Sequence, residues 1–304
     1  MTELRFPEAI DNTMMKDWRR CPQYFMRRHC QGLKVKDDEI SIDLHFGKAM
    51  AAGIEAGRRA YFVDRLPCID AVDAATEAAA KSYGTRIPPA KNSKTLGNLL
   101  NAVCSYFRQW PLDEDPLVPV NDGIEYEFHL ELPMNHPATG KPLVYCGRMD
   151  MLARDVDTDA IVVVDEKTAG RFTDSWFSKW DMDTQLTGYL YFATTVFAAP
   201  GDTASGLIRG IGVSASGIDH VRVSVFRTPF QLAQWWRVLN AEVCNMVEAF
   251  ELSSYLHRMG DSCYSYARPC EYTRLCTTPN PEAFYEQYEV NFWNPLQRDI
   301  GESK

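Results

Sequence analysis

Two short stretches carry the residues best suited to chemistry: GRMD at 147–150 and VVVDEKT at 162–168. Three consecutive valines are what a buried strand requires, yet this run leads straight into Asp165, Glu166 and Lys167. Charges at the end of an apolar strand are costly unless something specific holds them there. The intervening DVDTDA, 155–160, is rich in turn formers, so the two stretches read as the arms of a hairpin. With Asp157 and Thr158 at the turn centre, paired residues have numbers that sum to 315, so Asp150 faces Asp165 and Arg148 faces Lys167. Strand alternation places Asp165 and Lys167 on one face, with Asp150 beside them and Glu166 on the other. The two aspartate β-carbons are then about 5 Å apart. A slip of one residue would undo the arrangement.

Two directly opposed carboxylates repel, and a divalent cation between them relieves the repulsion. Hard oxygen ligands suit Mg²⁺ or Mn²⁺. A lysine two residues from one acid can lower the pKa of a bound water or neutralise charge developing on a phosphate. Asp-x-Lys alone is equally compatible with a surface hairpin bearing ordinary ion pairs of little energetic value. The valine run tips the reading toward a built site.

The elements that must position these residues are legible from apolar spacing. The first 115 or so residues are mostly helical, with segments expected at 13–30, 42–63, 69–83 and 94–111. The middle turns to β-formers: strands are expected at 125–132, 143–155, 160–168, 205–215 and 220–228, with a helix at 182–199 between the last pair and the hairpin. A long helix from 229 to 254 precedes a cysteine-rich segment and a polar tail. The fold class is α/β, a mixed sheet flanked by helices. Three regions are expected within one integrated domain: a helical region 1–115, a core 116–255, and a cysteine-rich segment 256–304.

The formal charge of −9 argues against coating nucleic acid through bulk charge. Arg19, Arg20, Arg27, Arg28, Lys34 and Lys36 form a local basic cluster that reads as a solvated face or as a phosphate-contacting one. No apolar run reaches the roughly 20 residues that cross a bilayer, and no secretion signal is evident, so the expected location is cytoplasmic. Nine cysteines in a reducing compartment point to metal ligation or burial rather than disulfides. Cys30, Cys68, Cys104, Cys146 and Cys244 lie in apolar contexts and are expected to be buried. The remaining four are Cys21, Cys263, Cys270 and Cys276, and four thiolates, where they meet, can hold an iron–sulfur cluster or a structural zinc. Cys30 is the replacement should Cys21 not serve.

GRMD followed by VVDEKT resembles motifs II and III of the PD-(D/E)XK nucleases, in the subgroup of RecB/AddB-like exonucleases. That subgroup carries a downstream Gln-x-x-x-Tyr, and QLTGY supplies Gln185 and Tyr189, four apart on one helical face. The resemblance implies a restriction-endonuclease-like core and a metal-dependent deoxyribonuclease. Asp150 and Asp165 would be metal ligands, Lys167 would assist the attacking water, and Gln185 and Tyr189 would position the site or the strand. Glu125 matches loosely an acid that members carry on the preceding strand, though Glu127 shares its parity. The family histidine on an early helix is replaced by Met50, a poor Mg²⁺ ligand, and His45 would face elsewhere. CPQYF around Cys21, with Cys263, Cys270 and Cys276, resembles the family's [4Fe–4S] ligand set, although the interval from Cys263 to Cys270 is longer than usual. Zinc is the alternative.

The activity implied by the resemblance is that of an exonuclease acting on single-stranded DNA ends in recombination or repair, encoded by a phage or prophage. No Gly-x-x-x-x-Gly-Lys-Ser/Thr loop is present, so a helicase or strand-annealing protein would be a separate partner. Trp176, Phe177 and Trp180 are candidates for stacking on bases, or for packing against the core. The rival readings are a non-catalytic DNA-end-binding module and a scaffold subunit of a recombination complex.

Overall fold

The computed structural model describes residues 4–36, 40–256, 258, 260–265 and 268–296. From the N-terminus the elements are β1 (Ala9–Ile10), α1 (Asn12–Arg20), α2 (Pro22–Phe25) running into a π turn (Met26–Cys30), and β2 (Leu33–Val35). Three helices come next: α3 (Ile42–Phe62), α4 (Cys68–Tyr83) and α5 (Leu96–Gln109). The long strands β3 (Leu117–Asn135) and β4 (Pro142–Asp155) lead to β5 (Ile161–Ala169), then α6 (Asp174–Ser178) and α7 (Thr184–Phe197). β6 (Ser205–Ser214), β7 (Gly217–Val225) and α8 (Pro229–Glu251) complete the main elements. The short β8 (Tyr264–Ser265), β9 (Arg268–Pro269), α9 (Thr273–Thr277) and β10 (Tyr288–Val290) lie in the C-terminal segment.

The central sheet is mixed, in the order β1-β4-β5-β6-β7, with β3 also paired to β4. β4 and β5 are antiparallel, β5 and β6 parallel, β6 and β7 antiparallel. Because β5 and β6 are parallel, the chain must cross over between them, and α7 lies in that crossover. The hairpin register has the expected sum: Met151 pairs with Val164 and Arg154 with Ile161. Its turn is tied by Asp155, whose Oδ1 accepts the amides of Asp157 and Thr158, both at 3.0 Å.

Contacts cluster into two compact units, Met1–Glu39 with Phe128–Gly147 and Trp236–Lys304, and Ile40–Glu127 with Arg148–Trp235. These breaks differ from the boundaries at 115 and 255, which mark changes in secondary structure. In the second unit α3, α4 and α5 enclose a core of Phe46, Met50, Ile54, Leu99, Val103 and Tyr106 with Ile211 and Val213 of β6. Small residues permit close packing here: Ala71, Ala75 and Ala79 form a fully buried row on α4. In the first unit Leu33, Tyr272, Leu275 and Tyr288 are buried together, with Cys270 and Cys276 packed against them.

Several expectations need correction. The helix expected over 13–30 is broken: Cys21 is extended, at φ −168° and ψ 121°, because the residue before a proline is pushed out of the helical region. β3 begins well before the expected strand and bends through left-handed residues Asn121 and Glu125, at φ 53° and 51°. Between them a β-carbon on Gly123 would stand 2.2 Å from the Leu152 carbonyl oxygen, so only glycine fits. Cys30 and Cys146 are buried as expected, but Cys68 and Cys104 are half-buried and Cys244 is exposed. The basic cluster is largely engaged within its own unit. Arg19 makes a bidentate pair with Glu242 at 2.6–2.9 Å, Arg27 bonds Gln31 at 2.9 Å, and Lys34 pairs with Glu289 at 3.4 Å. No described helix is long and apolar enough to cross a membrane.

Candidate active site

The ladder between β4 and β5 stops at Met151–Val164, one residue pair short of the two aspartates. Asp150 takes over there with its side chain: Oδ2 accepts the backbone N–H of Glu166 at 2.7 Å. This bond ties the carboxylate of one strand to the peptide just beyond the carboxylate of the other. Asp165 is 4% exposed, and its Oδ2 accepts Lys167 Nζ at 2.6 Å. The Lys167 side chain remains 31% exposed. The expected pairing of Arg148 with Lys167 does not occur; Arg148 instead binds Glu125 at 2.8 Å.

The electrostatics derive from burial. Asp150 is held well above the usual carboxylate range, first by burial and then by the charge of Asp165. Burial raises Asp165 too, against the pull of Lys167. Lys167 is held above the usual lysine value: burial opposes its charge, but Asp165 and Asp150 outweigh it. Glu125 is pushed up to about 7, by burial foremost, with Arg148 opposing and Glu55 and Glu166 adding to it. The site is therefore a convergence of acids short of positive charge. Glu127, which shares the parity of Glu125, is exposed.

Gln185 and Tyr189 meet on α7, whose N-terminus is capped by Asp183 accepting from Leu186 N at 2.9 Å. Gln185 Nε2 donates to Tyr189 Oη at 2.8 Å, and that hydroxyl donates to the Arg148 carbonyl at 2.6 Å. Tyr189 is buried, so this chain of bonds fixes β4 two residues before Asp150.

The opposite face of β5 is not legible from the sequence as part of the site. Glu166 is buried against the guanidinium of Arg58 and the hydroxyl of Tyr106, the latter at 2.8 Å. Burial alone would raise the Glu166 carboxyl, but Arg58 outweighs it and holds the group below its usual range. Arg58 sits on α3 and Tyr106 on α5, so two helices fix the residue between the catalytic candidates. Buried Lys94 adds a bond to the Ala169 carbonyl at 3.1 Å, at the end of the same strand. A mid-helix arginine surrounded by alanines, as in EAGRRA, is the one available signal.

Met50 is 1% exposed within the helical core, and His45 bonds the Tyr83 carbonyl at 2.9 Å. Trp176 and Trp180 are buried, so they pack rather than stack on bases; Phe177 is 38% exposed.

All four candidate cysteines are half-buried in the first unit. Cys21 Sγ accepts Arg258 N at 3.5 Å and Cys263 Sγ donates to Arg258 O at 3.5 Å, so both thiols bracket one residue. Cys270 N donates to Cys263 O at 2.8 Å. Cys276 is pushed up to about 11, by burial first, with Arg27 opposing and then Cys270, Cys21 and Cys263 each contributing. The other three thiols thus lie close enough to Cys276 to act on its charge. Cys30 does not join them: burial pushes it to about 12, and its Sγ lies 3.7 Å from Tyr255 Oη. Among the described residues, no group of three or more His, Cys, Asp or Glu forms a ready-made metal site. Two carboxylates suffice for Mg²⁺, which keeps several of its waters.

No model of a known protein family matches the chain, and no curated protein matches it. Among solved structures, the chain is similar to a crystal structure from Eubacterium rectale that bears the name "Putative exonuclease", at 14% identity and a TM-score of 0.48, over 89% of this chain and 93% of that one. It is also similar to the crystal structure of SSO0001, at 14% identity and a TM-score of 0.29, over 70% of this chain and 79% of that one.

Proposed function

We propose that the chain is a Mg²⁺- or Mn²⁺-dependent DNA exonuclease of the PD-(D/E)XK type, acting in the cytoplasm on single-stranded ends during recombination or repair. The observation that supports it is the meeting of half-buried Asp150 and buried Asp165 where their strands part, with Lys167 beside them. A divalent ion bound there would neutralise charge on the scissile phosphate and polarise the attacking water. Lys167, paired with Asp165 and partly exposed along its side chain, donates to a phosphoryl oxygen. Gln185 and Tyr189 hold β4 so that Asp150 keeps its position. Arg148, half exposed, and Phe177 contact the strand outside the reacting phosphate. Cys21, Cys263, Cys270 and Cys276 hold a [4Fe–4S] cluster, with zinc as the alternative. A helicase or strand-annealing protein supplies the ends.

A second reading has a specific observation in its favour. Met50, in the place of the family histidine, is sealed in the helical core and gives the site no ligand. A DNA-end-binding protein without turnover would keep every other feature.

Digestion of end-labelled single-stranded DNA with Mn²⁺ separates the two. Turnover by the natural chain that is lost in both Asp165→Ala and Lys167→Ala supports the nuclease. Retained binding with no turnover supports the second reading, and equal digestion by all three preparations refutes the proposed site.

A further inference from the structure

On the face of the sheet opposite Asp165 and Lys167, the pairing of β6 with β7 opposes two arginines. Glu166, Arg209 and Arg222 are neighbours across β5, β6 and β7, and share the face opposite Asp165 and Lys167. Arg209 and Arg222 are direct partners, and like charges directly opposite one another in an antiparallel pair are destabilising. Both guanidiniums lie over the same indole, Trp110, at 5.0 and 5.7 Å from its centroid. That stacking orients two cations without discharging either.

The acids nearby account for one of the two. Asp115 takes Arg209 Nη2 at 2.5 Å, whereas among the described residues Asp155 makes no ion pair with either arginine and its Oδ1 accepts the amides of its own turn, at 3.0 Å. Arg209 is 2% exposed and its Nε has no hydrogen-bond partner. Arg222 is exposed and has no carboxylate among the contacts of the described residues. Both arginines line a cavity of about 180 Å³ that Ser224 and the 70% exposed Phe226 also line, together with Asp115 and Asp155. In the register Ser224 comes two residues after Arg222, on its face, and Phe226 follows directly past the end of β7.

We infer that this cavity is a phosphate-binding site, in which one phosphate group bridges Arg209 and Arg222 and accepts from the Ser224 hydroxyl. Planar guanidiniums bind phosphate through paired N–H donors, and an anion between them removes the repulsion that the register imposes. The volume admits a phosphate with part of an attached nucleoside, and Phe226 stands at the rim where a base would stack. The phosphate can come from inorganic phosphate or from a nucleotide, and Phe226 distinguishes the two.

The test is calorimetric titration of inorganic phosphate, and separately of thymidine monophosphate, into the full chain without added divalent ion. One saturable site is expected, weakened at least tenfold in Arg222→Ala and partly restored in Arg222→Lys. Arg222 is exposed, so the variant folds, and a matched thermal transition checks this. Phe226→Ala weakens thymidine monophosphate several-fold if the source is a nucleotide and leaves both ligands unchanged if it is inorganic phosphate. No saturable binding of either ligand, or equal binding by Arg222→Ala, overturns the inference. Since no DNA cleavage and no divalent ion enter the measurement, its failure would leave the nuclease reading where it stood.

Discussion

Asp150→Asn isolates the conflict on which the site is built. Asparagine keeps an oxygen to accept the Glu166 amide, which lies 2.7 Å from Oδ2, so the geometry survives while the charge is removed. At the separation of about 5 Å typical of opposed strand positions, two carboxylates repel by about 3 kcal/mol at an effective dielectric constant near 20. Lys167 offsets part of this, because its charge acts on both acids, leaving a net penalty of about 1–2 kcal/mol. The Asp150 carboxyl is held well above its ordinary value of 3.8, so the folded protein binds that proton more tightly than the unfolded chain does. Its contribution is complete below 3.8 and is lost as pH rises through the folded value. The variant should therefore exceed the natural chain in stability by about 1–2 kcal/mol at pH 8 without divalent ion, and the gap should close toward pH 4. Urea unfolding followed by circular dichroism measures this. With Mn²⁺ at 100 times its dissociation constant the order should invert, because the natural chain alone gains about 2.7 kcal/mol. A variant less stable at pH 8 without metal, or a difference that ignores pH, would refute the reasoning.

The supporting contacts can be tested in the same way. Tyr189→Phe should cost about 1–3 kcal/mol in stability, since it leaves the Arg148 carbonyl without its 2.6 Å donor, and should lower turnover more than Mn²⁺ affinity. Glu166→Gln should cost about 3–5 kcal/mol in urea unfolding, because it leaves the buried Arg58 guanidinium uncompensated. The natural Glu166 pair should also weaken as pH falls below the ordinary carboxyl value of 4.5, since its folded pKa is depressed. Cys276→Ser should lose bound iron and visible absorbance when purified without oxygen, whereas Cys30→Ser should keep both, since Cys30 lies apart from the other thiols.

The site is legible in the sequence where local chemistry decides it. A turn of known residue types fixes the hairpin register, and strand alternation then carries Asp150, Asp165 and Lys167 to one face and Glu166 to the other. The helices α3, α4 and α5 are equally readable, since each carries a clear apolar stripe. The features that escape depend on tertiary contacts. Arg58 and Tyr106 come from helices more than a hundred and some sixty residues away from Glu166 in the chain, and no spacing announces them. Alternation alone sets Arg148 opposite Lys167, but the paired ladder ends at Met151, and Glu125 takes the guanidinium instead. The break at Cys21 is within reach of local rules, as a proline comes next. β1, with two residues, is too short to show any periodicity.

The central claim is that Asp150 and Asp165 together hold one divalent cation, and Mn²⁺ titration followed by electron paramagnetic resonance addresses it directly. The natural chain should remove one equivalent of free Mn²⁺ signal with saturation, and Asp150→Asn/Asp165→Asn should remove none over the same range. Equal uptake by both, or no uptake by the natural chain at millimolar Mn²⁺, would contradict the account.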